Sequence, residues 1–358
     1  MANPVTNLRK TAEEFQRMDA KDKRRSVIDA VLNNALYILM LIFVIYTAIK
    51  RPNFLTLGSL ANLITQVAAY LPLALGIGGC IVLTGTDLSA GRAVGLTACI
   101  SASLLQNSAN LANKMWPNIG TLPIPVVILL AMLIGAAIGC FNGFFVAKFK
   151  LHPFIVTLGT QLILYTFLLL YVQQGNNKGM AISNLDASYT NFVKGSLFSI
   201  GGTPIPNYML FAIALTAIMW FIWNKTTFGK NMFALGSNEE AARVSGVNVF
   251  ATTIAVFALA GAMYGFTGFI EGARIGSNTA NTGLNYELDA IAACVIGGVS
   301  FVGGIGKIRG IVIGVLMLRL IFVGLTMVGV PQDLQYLIKG GIILFACALD
   351  MRKYLVKK

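Results

Sequence analysis

The chain has 358 residues, of which 56% are hydrophobic and 11% charged; its mean hydropathy is +0.74 and its net charge +13. Soluble domains carry about 25% charged residues, so a water-facing surface over most of the molecule is excluded and lipid must be the main solvent. The apolar runs exceed the roughly 18 residues that mark a spanning helix and show no strand-like alternation, which argues against a β-barrel. The positive charge is read as the anchor of cytoplasmic loops rather than a nucleic-acid footprint, because no basic cluster is interleaved with base-stacking aromatics.

In chain order, residues 1–30 are polar and mixed in charge and read as a cytoplasmic segment with no signal peptide before the first apolar run. Predicted spans follow at 31–49, 59–83, 90–106, 123–147 and 154–173. Pro72 and several glycines predict a broken helix in the second. A polar stretch at 174–206 separates these from a sixth span at 207–224. After a polar loop, 225–249, come four more, at 250–270, 288–303, 310–329 and 334–349, and then a basic tail, 351–358. The expectation is an all-α polytopic protein with about ten transmembrane helices, some broken or re-entrant, the permease domain occupying 31–350. With the N-terminus inside, eighteen Lys and Arg fall in inside segments and six in outside segments, while Arg92, Arg319 and Lys339 lie in or beside spans. That bias places both termini in the cytoplasm.

The chemistry is sparse. Cys80, Cys99, Cys140, Cys294 and Cys347 all sit in apolar runs without a CxxC pair, and His152 is the only histidine. No metal site, disulfide framework or catalytic residue is expected. The run Gly303-Gly304-Ile305-Gly306-Lys307 is no nucleotide loop, since Phe301 replaces the required glycine and Ile308 the magnesium-binding Ser or Thr. No cofactor is expected on this chain. Gly135/Gly139/Gly143, Gly261/Gly265 and Gly306/Gly310/Gly314 have the spacing of closely packed helices. In the 225–249 loop, Asn238 is an N-cap with Glu239 and Glu240 behind it, and Gly246 ends the helix. A helix of about two turns standing alone there needs a docking partner. Asp87, Arg92, Glu271, Arg274, Glu287 and Asp289 are polar groups at or near membrane depth, each either functional or an ion pair or cap holding spans together.

Three stretches carry a resemblance. Glu239-Glu240-Ala241-Ala242-Arg243-Val244-Ser245-Gly246 resembles the coupling helix of ribose/galactose/xylose-type ABC sugar-importer permeases. Asp87-Leu88-Ser89-Ala90-Gly91 is similar to that family's Asp-Leu-Ser-x-Gly signature, and the run from Glu287 to Gly306 is a third match. The likeness runs in order from about residue 35 onward. Thr86, Arg92, the run Arg274-Ile275-Gly276-Ser277 and Tyr286-Glu287-Leu288-Asp289-Ala290 look like the family's galactose/methyl-galactoside members. The extension at 1–30 departs from the pattern. The resemblance implies a homodimeric, bacterial inner-membrane permease that receives sugar from a periplasmic binding protein. A separate cytoplasmic ATPase, which binds the ATP, would dock at Glu239, Glu240, Ala241, Ala242, Arg243 and Gly246. Asp87, Ser89, Arg92, Glu287 and Asp289 are the candidate translocation-path residues. The rivals are a ribose, xylose, nucleoside or branched-chain amino acid permease of the same kind, an ion-coupled secondary transporter, and a channel.

Overall fold

The computed structural model describes residues 35–355 except Asn110, Ala112, Asn113 and Gly201, together with Asp19, Lys23 and Arg24. The predicted segment 1–30 otherwise lies outside the described residues, as do 31–34 of the first span and 356–358 of the tail.

Long apolar runs become helices because lipid offers no partner for backbone N–H and C=O groups, and a helix satisfies them internally. The first half comprises α1 (Ala35–Lys50), a 3-10 turn (Pro52–Leu55), α2 (Leu57–Val82), α3 (Ala90–Leu104), α4 (Ile124–Phe149) and α5 (Pro153–Val172). A small cap follows: α6 (Ala187–Lys194) and an antiparallel hairpin of β1 (Ser196–Ile200) and β2 (Thr203–Pro206). The second half contains α7 (Tyr208–Lys225), α8 (Thr227–Ser237), α9 (Glu239–Val244), α10 (Val249–Ile275), α11 (Tyr286–Ile296), α12 (Ile308–Val328) and α13 (Gln332–Leu355). Among the described residues, α2, α4, α5, α7, α10 and α12 are long and apolar enough to cross a membrane.

α10 is the central post, packed chiefly on α4, α3 and α2. Two of the glycine runs explain the tightest contact. A Cβ on Gly135 would collide with the Gly261 carbonyl, one on Gly139 with the Phe257 carbonyl, and one on Gly265 with the Ala131 carbonyl. The α4 and α10 backbones therefore touch directly, as small-residue faces allow in lipid. Gly310 and Gly314 bring α12 equally close to Gly297 and Ala293 at the end of α11.

Three sequence expectations change. Pro72 lies inside an unbroken α2; one missing N–H is tolerated in a helix packed on all sides, and Leu71, Pro72 and Leu73 are all buried. The polar stretch 174–206, for which no element was predicted, forms α6, capped by Asp186 through its bond from Ser188 N, and then the hairpin. The eighth predicted span, finally, is only partly helical, whereas the third is helical over nearly all its length. α3 has 15 residues and α11 has 11; at 1.5 Å per residue these reach about 22 and 16 Å, short of a hydrocarbon core of about 30 Å. Non-helical segments precede them, 83–89 before α3 and 277–285 before α11, and the rest of the eighth predicted span, 297–303, is also non-helical.

Candidate functional site

The two segments before α3 and α11 are non-helical backbone packed against the helices, the first largely buried and the second partly exposed. The second lies along α3. Arg92 Nη1 donates to the Ala280 carbonyl at 3.0 Å, and Cys99 Sγ approaches the Thr279 carbonyl at 3.6 Å. A Cβ on Gly95 would strike the Thr282 carbonyl.

Around the first segment, each residue of Asp87-Leu88-Ser89-Ala90-Gly91 has a local task. Ser89 donates to Asp87 Oδ1 twice, through its N–H at 3.0 Å and its hydroxyl at 2.6 Å. Asn142 of α4 donates to Ser89 Oγ at 2.9 Å, and Thr160 of α5 donates to Asn142 Oδ1 at 2.6 Å. Leu88 N–H donates to Thr157 Oγ1, which itself donates to the Thr86 carbonyl. Ala90 begins α3, and Gly91 leaves room for the Glu287 carboxylate and the Gly283 carbonyl. Asp87 and Ser89 are fully buried. This relay satisfies the backbone of a broken crossing and ties α3, α4 and α5 to it.

The sequence-predicted path residues thus divide. Asp87 and Ser89 belong to the relay. Arg92 stacks on the Tyr165 ring, 4.2 Å from its centroid, and holds the 277–285 segment. Glu287 is buried against Gly91. Asp289 stands apart from these four and joins a group that spacing did not disclose.

Arg319 Nη2 of α12 pairs with Asp289 Oδ2 at 2.6 Å, and Lys339 Nζ of α13 with Asp289 Oδ1. The Arg319 guanidinium lies over the Tyr70 ring of α2, 3.5 Å from its centroid. Tyr70 meets the Tyr286 ring at 4.8 Å, and the Tyr286 hydroxyl donates to Glu271, which Arg274 holds in a two-point ion pair at 2.7 and 2.8 Å. Glu271 and Arg274 are thus an ion pair within one helix. Asp289, Arg319, Lys339, Tyr70, Tyr286 and Tyr336 line a cavity of about 420 Å³. Arg319 and Lys339 were visible in the sequence only as charges out of place in spans; Tyr70 carried no signal at all.

At the opposite end of the molecule, Asn238 Oδ1 accepts from Ala241 N, and Arg243 pairs with Glu239 and with Glu240. Gly246 has φ +85°, the turn that L side chains resist. One expectation is corrected here. Ala242, read as a small residue facing a partner, is 3% exposed and turned into its own chain, whereas Val244 is 89% exposed. The six-residue helix must anchor one side to the body; from Glu239 to Gly246 only Ala242 is buried, and the others remain on the surface. Behind α9 lies a cavity of about 450 Å³ with Thr84, Pro153, Ser237 and Glu239 in its wall. The Gly303-Gly304 run packs on this region: Gly304 N–H donates to the Val82 carbonyl at 2.9 Å, and a Cβ on Gly303 would meet Thr84 and Gly236.

Bundled apolar helices, six of them among the described residues long enough to cross a membrane, and a charged cavity among the helices define a polytopic membrane permease. Residues 59–347 match the model of the family described as branched-chain amino acid transport system / permease component, and the chain belongs to that family. It is 45% identical to the galactose/methyl galactoside import permease protein of Haemophilus influenzae over 95% of this chain and 100% of that one. The protein of that name from Escherichia coli K12 is also 45% identical, over 94% of this chain and 98% of that one. The ribose import permease protein of Escherichia coli K12 is 34% identical over 88% and 92%. No solved structure matches the chain.

Proposed function

We propose that this chain is the inner-membrane permease subunit of an ABC importer for galactose and methyl galactosides. It works as a homodimer with both termini in the cytoplasm, takes sugar from a periplasmic binding protein and is driven by a separate ATPase. The observation that carries the reading is full-length likeness: 45% identity to relatives named for these sugars, against 34% to one named for ribose. ATP is bound by the partner, because the 303–307 run has Phe301 and Ile308 where a nucleotide loop needs Gly and Ser or Thr. The ATPase docks on the exposed side of α9, where a fully solvated Val244 would be covered by a protein cleft. Asp87, Ser89, Arg92 and Glu287 support the path by holding its broken backbone, and Asp289 faces it.

The test is uptake into vesicles. Chain, ATPase and binding protein together accumulate labelled galactose when ATP is supplied. The chain alone accumulates none under an imposed proton or sodium gradient. Gradient-driven accumulation would overturn the ATP-driven reading, and accumulation of ribose in place of galactose would overturn the sugar.

A further inference from the structure

We infer that the cavity around Asp289, Arg319 and Lys339 is a sugar-contact site within the permease itself, and that it selects on charge, admitting neutral sugars and rejecting cationic amino sugars. The inference rests on the sugar reading above and deepens it. Ionisable groups at membrane depth are costly and are kept where they serve a path. Here two cations face one anion, so the group is net positive. Asp289 is already engaged by both partners, and its remaining role is to hold them in place. Lys339 has three N–H donors and spends one on Asp289; the others are available to oxygen acceptors. The cavity is therefore rich in donors, which suits the hydroxyl and ring oxygens of a sugar.

Its walls fit the same ligand. Tyr336, which is exposed, adds ring surface, and the electron-rich face of such a ring attracts the polarised C–H side of a sugar, while Tyr70 holds the Arg319 guanidinium in place. The volume, about 420 Å³, falls within the range of roughly 300–1,000 Å³ for small-molecule sites. The cavity wall includes Gln332 and Gln335 at the start of α13 and Asn281 and Asn285 before α11. By charge count that end faces the periplasm, where sugar arrives.

The experiment places a reporter at the exposed rim, Gln332→Cys, in the full permease–ATPase complex in nanodiscs. An impermeant thiol reagent is added, and the parent complex gives the background from native cysteines. Sugar at twice its dissociation constant leaves about a third of sites free, so galactose and methyl galactoside slow labelling about threefold. Galactosamine, a cation at neutral pH, does not. Adding Lys339→Gln raises the galactose concentration needed for protection about tenfold, while Asp289 keeps Arg319. If that double variant fails to assemble, the galactose and galactosamine arms on the single variant decide the matter. Labelling unaffected by galactose, or equal protection by galactosamine, in a complex that transports galactose overturns this site. A complex that transports no galactose instead overturns the sugar assignment, so the two failures are told apart.

Discussion

The relay at Asp87 shows how much a broken crossing asks of single side chains. Asn142 has two neighbours, donating to Ser89 and accepting from Thr160. Asn142→Leu leaves both without their partner in a buried setting, at a cost of about 1–3 kcal/mol for each stranded group; the expected result is a clear drop in the unfolding temperature of the purified permease. Asp87→Asn keeps an acceptor for Ser89 at the Oδ1 position and is expected to fold with near parental stability, whereas Asp87→Ala is not. A milder case lies outside the bilayer. Hydrogen bonds from the Ser188 hydroxyl and N–H hold the Asp186 carboxyl below the usual carboxylate range. A depressed folded-state pKa means the cap's contribution is present above the unfolded value near 3.9 and is lost as pH falls through the lower folded value. Asp186→Ala is expected to cost about 1 kcal/mol at pH 7 and progressively less as the carboxyl protonates in acid, as measured by hydrogen exchange of the α6 amides.

Among the elements, the α4–α10 contact has no slack. Gly135→Leu would drive a side chain into the Gly261 carbonyl, and overpacking of this kind costs about 1–3 kcal/mol or more. Its expected result is a loss of folded, monodisperse protein on size exclusion, with no specific effect on ATPase binding. α9 gives the converse pattern. Val244→Asp changes only an exposed side chain, so the permease is expected to fold normally yet to retain about tenfold less ATPase on co-purification, equivalent to about 1.4 kcal/mol. Normal ATPase retention would place the docking surface elsewhere. Ala242→Glu is a poor probe of docking, because a buried carboxylate would displace the helix from the body before any partner arrived.

For the whole molecule, orientation is tested by labelling. Ser183→Cys is expected to react with an impermeant thiol reagent in intact cells, and Glu240→Cys only after the membrane is opened; the reverse pattern would invert the topology. By itself the sequence determined the class, the order of the apolar segments, the α9 cap from Asn238 to Gly246, and the glycine faces of α4 and α10. All of these depend on neighbours within a few residues or on composition, because lipid forces backbone hydrogen bonds to close locally. It also marked Asp87 and Asp289 as out of place at depth. Only the tertiary structure decided that α2 runs unbroken through Pro72, that α11 stops part-way through the eighth predicted span, and that Asp289 meets Arg319 and Lys339 with Tyr70 under the guanidinium. Those outcomes turn on contacts between residues 30 to 249 positions apart. At such separations no spacing rule operates, and whether a stray charge or a missing N–H is tolerated depends on which neighbouring helix supplies its partner.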